Sequence, residues 1–413
     1  MTSHTELRHA RHPATGLVRG IYVPRGADAA ASAMTTYGIP LLVLATTGST
    51  GLTGLAFALE WIPRLAAFAV AGTMVDRYGT TTVFRLASLE RALLVLAAAV
   101  LLSSWTGVGP TATVTVMVLA ALTGVLTECS YIAAETAGAE ASRRAGDRAH
   151  KVQSVLLGID QTATLAGPLA AGLLLEWGGP AGMLVTLACC SLLGAALAPR
   201  QPQAPKKSTG PAAGGLRTGW ATLRSLPALA WMVTGLVVSN FAAGLLQAAM
   251  PVIVVNQLGR SSADAGLIWS AAAVVSLLAL TAARTAIDRW GLWPVGAVAA
   301  TIAAAATLAV TQAHTYTGYL VLIAVLTGGE GALSVVLRTL RSQLIPPAVF
   351  GSTLSVTVLV LLLPFPLAGL LVAAVPPAMF GHVITGAAVL QAVGLAAAFT
   401  RLRALPGLRT STA

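Results

Sequence analysis

Charge is what this chain has least of. Only 9% of its 413 residues are Asp, Glu, Lys or Arg, against roughly 25% in a soluble globular domain, so water is not the solvent of most of its surface. Cysteine is scarce as well. Cys129, Cys189 and Cys190 all lie in apolar segments, which gives neither a disulfide framework nor a metal spacing. The chain has no Walker lysine loop, no His-Glu-x-x-His and no nucleophile elbow, and its six histidines are scattered singly. No enzyme activity, metal or cofactor is therefore expected. The ten-residue alternation of an outer-membrane barrel is missing, and 5% aromatics argue against a cavity lined with many rings.

What is present is apolar length. The chain is 56% hydrophobic with a mean hydropathy of +0.80, arranged in runs of the ~20 residues that a helix needs to cross hydrocarbon. Spans are read at 28–48, 52–74, 83–104, 111–134, 152–175 and 181–198, and again at 227–250, 264–286, 294–313, 317–337, 350–372 and 377–399. Residues 199–226 are rich in Pro, Gly and basic residues without apolar periodicity, and read as a linker. The expected organisation is a tail at 1–27, a six-helix bundle at 28–198, the linker at 199–226, a second six-helix bundle at 227–400 and a tail at 401–413. The fold class is an all-α membrane protein with twelve transmembrane helices in two pseudo-symmetric bundles.

A formal charge of +11 does not mark a nucleic-acid binder here, because the basic residues form no stripe that could track phosphates. All but Arg64, Arg91 and Arg260 fall in the tails, at the ends of spans facing one side, or in the loops of that side. This is the positive-inside pattern, which puts both ends in the cytoplasm and agrees with an even number of spans. Arg8, Arg11, Arg19 and Arg25 in the first 27 residues, with no apolar core among them, read as a cytoplasmic tail. The excess of Arg over Lys points to a bacterial coding bias, hence a bacterial plasma membrane.

One stretch occurs twice. Ala71-Gly72-Thr73-Met74-Val75-Asp76-Arg77-Tyr78-Gly79 and onward to Val83 returns as Ala283-Arg284-Thr285-Ala286-Ile287-Asp288-Arg289-Trp290-Gly291 and onward to Val295, with Ala, Thr, Asp, Arg, an aromatic, Gly and Val in register. Two copies at one spacing imply two similar halves. Gly79 supplies a positive φ for the turn between antiparallel helices. With Gly72, Asp76, Arg77 and Gly79 after the second of six spans, the chain resembles a major facilitator superfamily transporter of the exporter-like branch. The resemblance covers nearly all of 28–400, and the chain departs from it at Thr80 and Thr81, where the family continues with basic residues. It implies a secondary active transporter working by alternating access on a small molecule, with protons, substrate and the bilayer as partners and a monomer as the working form. It also implies a conformational latch at Gly72, Asp76, Arg77 and Gly79, with Asp288 and Arg289 in the second copy. Ala166-Gly167-Pro168-Leu169-Ala170-Ala171-Gly172 resembles the family's fifth-span exporter motif, and Gly167, Pro168 and Gly172 are expected to bend that span.

Ionisable side chains inside a bilayer are costly and each one asks for a partner. Glu60 and Arg64 are four apart on one helix. Counted from the turn at Gly79, Glu90 and Arg91 reach within one turn of the same depth at 1.5 Å per residue, which predicts a net-neutral cluster of Glu60, Arg64, Glu90 and Arg91. Glu128 and Asp160 have no cation in their own spans, so they lead the proton-coupling candidates, with Glu60 third. Candidates for the substrate cavity are Tyr37, Tyr131, Gln161, Asn240, Gln247 and Glu330, on spans that surround the cavity in the resembling fold or beside it; interhelical hydrogen bonding is the competing role for Asn240 and Gln247. The leading expectation is proton-coupled efflux. An uptake symporter is the first alternative, and a non-transporting receptor or scaffold on the same fold is the second.

Overall fold

A computed structural model describes residues 17–104, 109–145, 149–199, 215–346 and 349–404. Most of the two tails and of the linker, with Arg8, Arg11, Arg148, Lys206 and Lys207, lies outside the described residues. The regular elements among the described residues are all helical: α1 Val23–Thr47, α2 Thr50–Tyr78, α3 Thr80–Ser104, α4 Pro110–Ala145, α5 Ala149–Leu197, α6 Gly215–Ser225, α7 Pro227–Pro251, α8 Ser262–Trp290, α9 Leu292–Val310, α10 Tyr316–Leu344, α11 Phe350–Leu362, α12 Pro364–Ala374 and α13 Phe380–Ala404. A π turn, Val18–Tyr22, leads into α1, and another, Val252–Gln257, continues α7.

Twelve crossings follow from lengths and breaks. At 49 residues α5 would be about 74 Å long, more than twice the ~30 Å of hydrocarbon. It is interrupted at Gly179 (φ 63°, ψ −171°), which makes it two spans joined by a turn. Conversely, α11 and α12 make one crossing broken at Leu363, before Pro364 and Pro366. The sequence explains the ends. Gly48 (φ 63°) closes α1 in the left-handed conformation, its N–H bonding to the Leu44 carbonyl at 2.9 Å. Ser261 and Asp264 form a reciprocal capping box at the start of α8.

Two stretches differ from the sequence expectation. Residues 18–27, assigned to a tail, are helical, and Arg25 is buried among the spans. Within the expected linker, Gly215–Ser225 forms α6, whose Gly219 and Leu223 are buried while Leu216 and Trp220 on its other side are exposed. A Cβ at Gly219 would collide with the Ser352 carbonyl of α11, so glycine is what lets this amphipathic helix lie close.

The chain divides into two compact units, residues 1–48 with 59–207, and residues 49–58 with 208–413. In unit 1, α1 lies along α5. A Cβ at Gly38 would stand 3.1 Å from Ala171 Cβ, and one at Gly167 would overlap Ala33. Lipid offers little hydrophobic drive between helices, so such small-residue contacts carry the packing. A cluster of Ala67, Ala71, Val75, Val83, Phe84, Ala87, Cys129, Ala133, Ala134 and Ala198 seats the turn between α2 and α3 on α4. In unit 2, α7 packs on α13 and α12, and α8 and α9 both pack on α10. There Gly54 and Gly369 meet backbone to backbone: a Cβ at Gly369 would lie 2.7 Å from the Ala58 nitrogen and 2.9 Å from the Gly54 carbonyl.

Candidate functional site

The interior of unit 1 holds three arginines, each paired with acid. Arg25, in the first turn of α1, is 4% exposed. Its Nε donates to Asp160 Oδ1 on α5 at 2.9 Å, and its Nη2 donates to Asp160 Oδ2 at 2.5 Å and also to Glu135 on α4. Arg91 on α3 is fully buried. It donates to Asp28 of α1 (Nη2 to Oδ1, 2.6 Å), to Ser191 of α5 (2.9 Å), and at 3.3–3.4 Å to Ser32 of α1 and to Thr127 and Ser130 of α4. One guanidinium thus ties α3 to three other helices. Arg64 on α2 donates from Nε to Glu128 Oε2 on α4 at 2.7 Å and lies 4.6 Å above the Trp61 ring.

These pairs correct two expectations. The cluster of Glu60, Arg64, Glu90 and Arg91 does not form, because equal depth does not fix direction. Glu90 and Arg91 are neighbours about 100° apart around α3; Arg91 points inward and Glu90 is exposed on the outer face. Nor do Glu128 and Asp160 lack cations, since Arg64 and Arg25 reach them from other helices. Asp160 acquired its partner from a residue assigned to the tail.

Glu60 is different. It is fully buried, and neither carboxylate oxygen meets a donor in hydrogen-bonding geometry. The polar groups that bear on it are the Thr36 hydroxyl, Tyr37 and Arg64. Its backbone carbonyl is held against Gly124 of α4, where a Cβ would overlap it. Of the unit 1 acids Asp28, Glu60, Glu128, Glu135, Glu140 and Asp160, five have a guanidinium within salt-bridge distance, and the fully buried Glu60 has none.

The remaining candidates fall into place around these groups. Tyr131 is 44% exposed and feels Glu135, Arg25, Asp160 and Glu128; Gln161, next to Asp160, is partly buried. Unit 2 has its own polar chain: Gln391 Nε2 donates to Ser239 Oγ at 2.8 Å, and Ser239 Oγ donates to Glu330 Oε1 at 3.0 Å. Asn240 donates to the Leu361 carbonyl at 2.7 Å, two residues before the break at Leu363, so its amide serves as interhelical glue. Gln247 is partly buried on α7. Gly167, Pro168 and Gly172 lie within the helical part of α5, with Pro168 inside the helix. Its non-helical residue is Gly179, beyond them, and what Gly167 does is admit Ala33.

At the repeated loop the two copies agree in backbone. Gly79 and Gly291 both have φ of 85°, and their N–H groups bond to the carbonyls of Val75 and Ile287 at 2.9 and 2.8 Å. Asp76, Arg77, Asp288 and Arg289 are exposed, and Arg77 lies 5.3 Å over the Tyr78 ring. Gly72 faces open space. Sequence reasoning missed Arg25, Glu135, Ser239 and Gln391. The signal for Glu135 was present: it follows Glu128 by seven residues and Tyr131 by four, on one helical face.

A family model described as Major Facilitator Superfamily matches residues 26–369. No curated protein matches the chain. Among solved structures, the chain is similar to a bacterial homologue of the iron transporter ferroportin in an inward-facing state (TM-score 0.72, 14% identity, covering 93% of this chain and 98% of that one). It is also similar to a D-xylose–proton symporter (TM-score 0.73, 15% identity, 96% and 98%) and to a nucleoside transporter (TM-score 0.70, 12% identity, 92% and 100%). At these identities the likeness is one of fold.

Proposed function

The chain belongs to the Major Facilitator Superfamily, and from that premise we propose that this membrane transporter expels a small amphipathic molecule, such as a drug, siderophore or secondary metabolite, in exchange for protons. It acts by alternating access as a monomer in a bacterial plasma membrane, with both ends cytoplasmic and with 28–198 and 227–400 as its two bundles. It is not an enzyme, and without a nucleotide-binding loop its energy comes from a gradient.

The observation that carries proton coupling is Glu60. An ionised carboxylate cannot stay buried uncompensated, so its charge has to be cancelled by a proton or by Arg64, and Arg64 is held by Glu128. Loss of a proton from Glu60 therefore leaves a carboxylate that competes with Glu128 for the guanidinium that holds α2 to α4, and a proton arriving at Glu60 ends that competition. Glu128 and Asp160 take part as the partners of Arg64 and Arg25. The export direction rests on the resemblance of residues 166–172 to the family's fifth-span exporter motif.

Proteoliposomes with an imposed pH gradient, screened against a pooled metabolite and drug library, test this. Wild-type protein is expected to move substrate against the proton flow, and Glu60→Gln to lose the dependence on the gradient. Glu128→Gln and Asp160→Asn are expected to retain it at reduced rate. Gradient-driven flux unchanged in Glu60→Gln defeats the assignment, movement with the proton flow means a symporter, and ligand binding without flux means a receptor.

A further inference from the structure

The proposed transport reaction makes no use of α6, Gly215–Ser225, which at 11 residues and about 16 Å is too short to cross the bilayer. Its depth is nevertheless fixed. Only Leu226 separates it from α7, whose apolar span opens at Pro227. Midway along, Gly219 rests on the first turns of α11, where an added Cβ would overlap the Ser352 carbonyl and stand 2.9 Å from Val356 Cγ2. Ser352 opens the apolar span that α11 and α12 share. Thus α6 lies across the starts of two spans, at the edge of the hydrocarbon.

The faces of α6 sort by what that edge offers. Gly219 and Leu223, four apart, are buried against the protein. Leu216 and Trp220 adjoin them around the helix, yet they stay 54% and 42% exposed. Arg217 and Arg224 follow beyond and are exposed, with the Arg224 guanidinium 5.0 Å over the Trp220 ring. There is no acid in α6, and among the described residues neither arginine makes an ion pair. One turn into α7, Trp231 lies under Arg401 at 5.6 Å, a second indole covered by a guanidinium.

An apolar edge holding an indole, bordered by two uncompensated guanidiniums, matches the boundary between acyl chains and anionic headgroups. We propose that the outer face of α6 docks on an anionic phospholipid surface, with Leu216 and Trp220 in the acyl boundary and Arg217 and Arg224 on the phosphates. On the proposed topology that surface is the cytoplasmic leaflet.

Full-length protein in nanodiscs provides the test, since both leaflets then have one composition and the result does not depend on topology. Amide hydrogen exchange of 215–225 is read by mass spectrometry in phosphatidylcholine alone and in phosphatidylcholine with phosphatidylglycerol. Phosphatidylglycerol is expected to slow exchange about tenfold, an effect that salt weakens. Arg217→Gln with Arg224→Gln is expected to abolish the difference between the two lipids. Arg217→Lys with Arg224→Lys is expected to keep it, which separates charge from packing. Exchange that is the same in both lipids, or a phosphatidylglycerol effect that survives the Gln pair, overturns the proposal. Slow exchange in both lipids that ignores salt would mean that protein covers this face, and overturns it as well.

Discussion

Arg64 of α2 and Glu128 of α4 face each other across unit 1 at 2.7 Å, although a carboxylate stands one turn away from Arg64 on its own helix. The guanidinium has gone to the acid on the neighbouring helix and left Glu60 uncompensated. That choice fixes which variants are costly.

Arg64→Met strands Glu128, 4% exposed, and is expected to destabilise the protein by about 3–5 kcal/mol, the cost of breaking a buried pair from one side. Glu128→Gln leaves Arg64 with Glu60 in reach and is expected to cost less. Thermal unfolding in detergent checks the order, and the double variant should be more stable than Arg64→Met alone. Equal losses in both single variants would mean that Glu60 does not serve as the second partner.

Arg91→Met is expected to be the most damaging single change in unit 1. It leaves Asp28 and four hydroxyl groups of three helices without their common donor. Arg91→Lys should not rescue it, because an ammonium cannot span Ser191 and Asp28 as the planar fork does. The monodisperse fraction after size-exclusion chromatography reports the outcome.

Gly124→Ala and Gly72→Ala form a matched pair with opposite expectations. At Gly124 the new methyl meets the Glu60 carbonyl, whereas at Gly72 it meets nothing within 4 Å. The first is expected to lose about 1–3 kcal/mol by overpacking; the second should be neutral or gain up to about 1 kcal/mol of helix propensity. Loss of transport in a normally stable Gly72→Ala protein would then assign that glycine to function rather than folding.

Gly79→Ala and Gly291→Ala each force an L side chain to a φ of 85° and are expected to cost about 1–2 kcal/mol, with Asn milder than Ala at both. Unfolding midpoints of the four variants test it; a neutral alanine at either site would show that its turn can relax.

The helices were legible because hydrocarbon length and loop charge are one-dimensional signals, and the repeat announced itself through Asp76–Gly79 and Asp288–Gly291. The candidate site was legible only as a set of residues. Depth along a helix can be counted, but which way Glu90 and Arg91 point depends on neighbours that the sequence does not order. Arg25 was hidden for a different reason. It precedes the apolar run by so little that it reads as tail, while α1 begins earlier, at Val23, and carries it inside. The small residues at 166–172 read as a bend, and what that reading did not include is the approach of Ala33 to Gly167. A Gly-Pro pair signals a kink locally, and close packing has no local signature.

The two turns also speak to ancestry. Tyr78 faces Trp290 in the alignment of the halves and Thr80 faces Leu292, yet the glycines between them keep the same φ and the same bond to the carbonyl four residues back. Copies that differ in chemistry but share a backbone path are what an internal gene duplication leaves behind. After such a doubling, one copy is free to collect arginine–acid pairs, Arg25 with Asp160 and Arg91 with Asp28, while its twin carries the hydrogen-bonded relay of Gln391, Ser239 and Glu330. The descendant keeps one backbone path at both turns while the polar groups of its two halves have become unlike in trade.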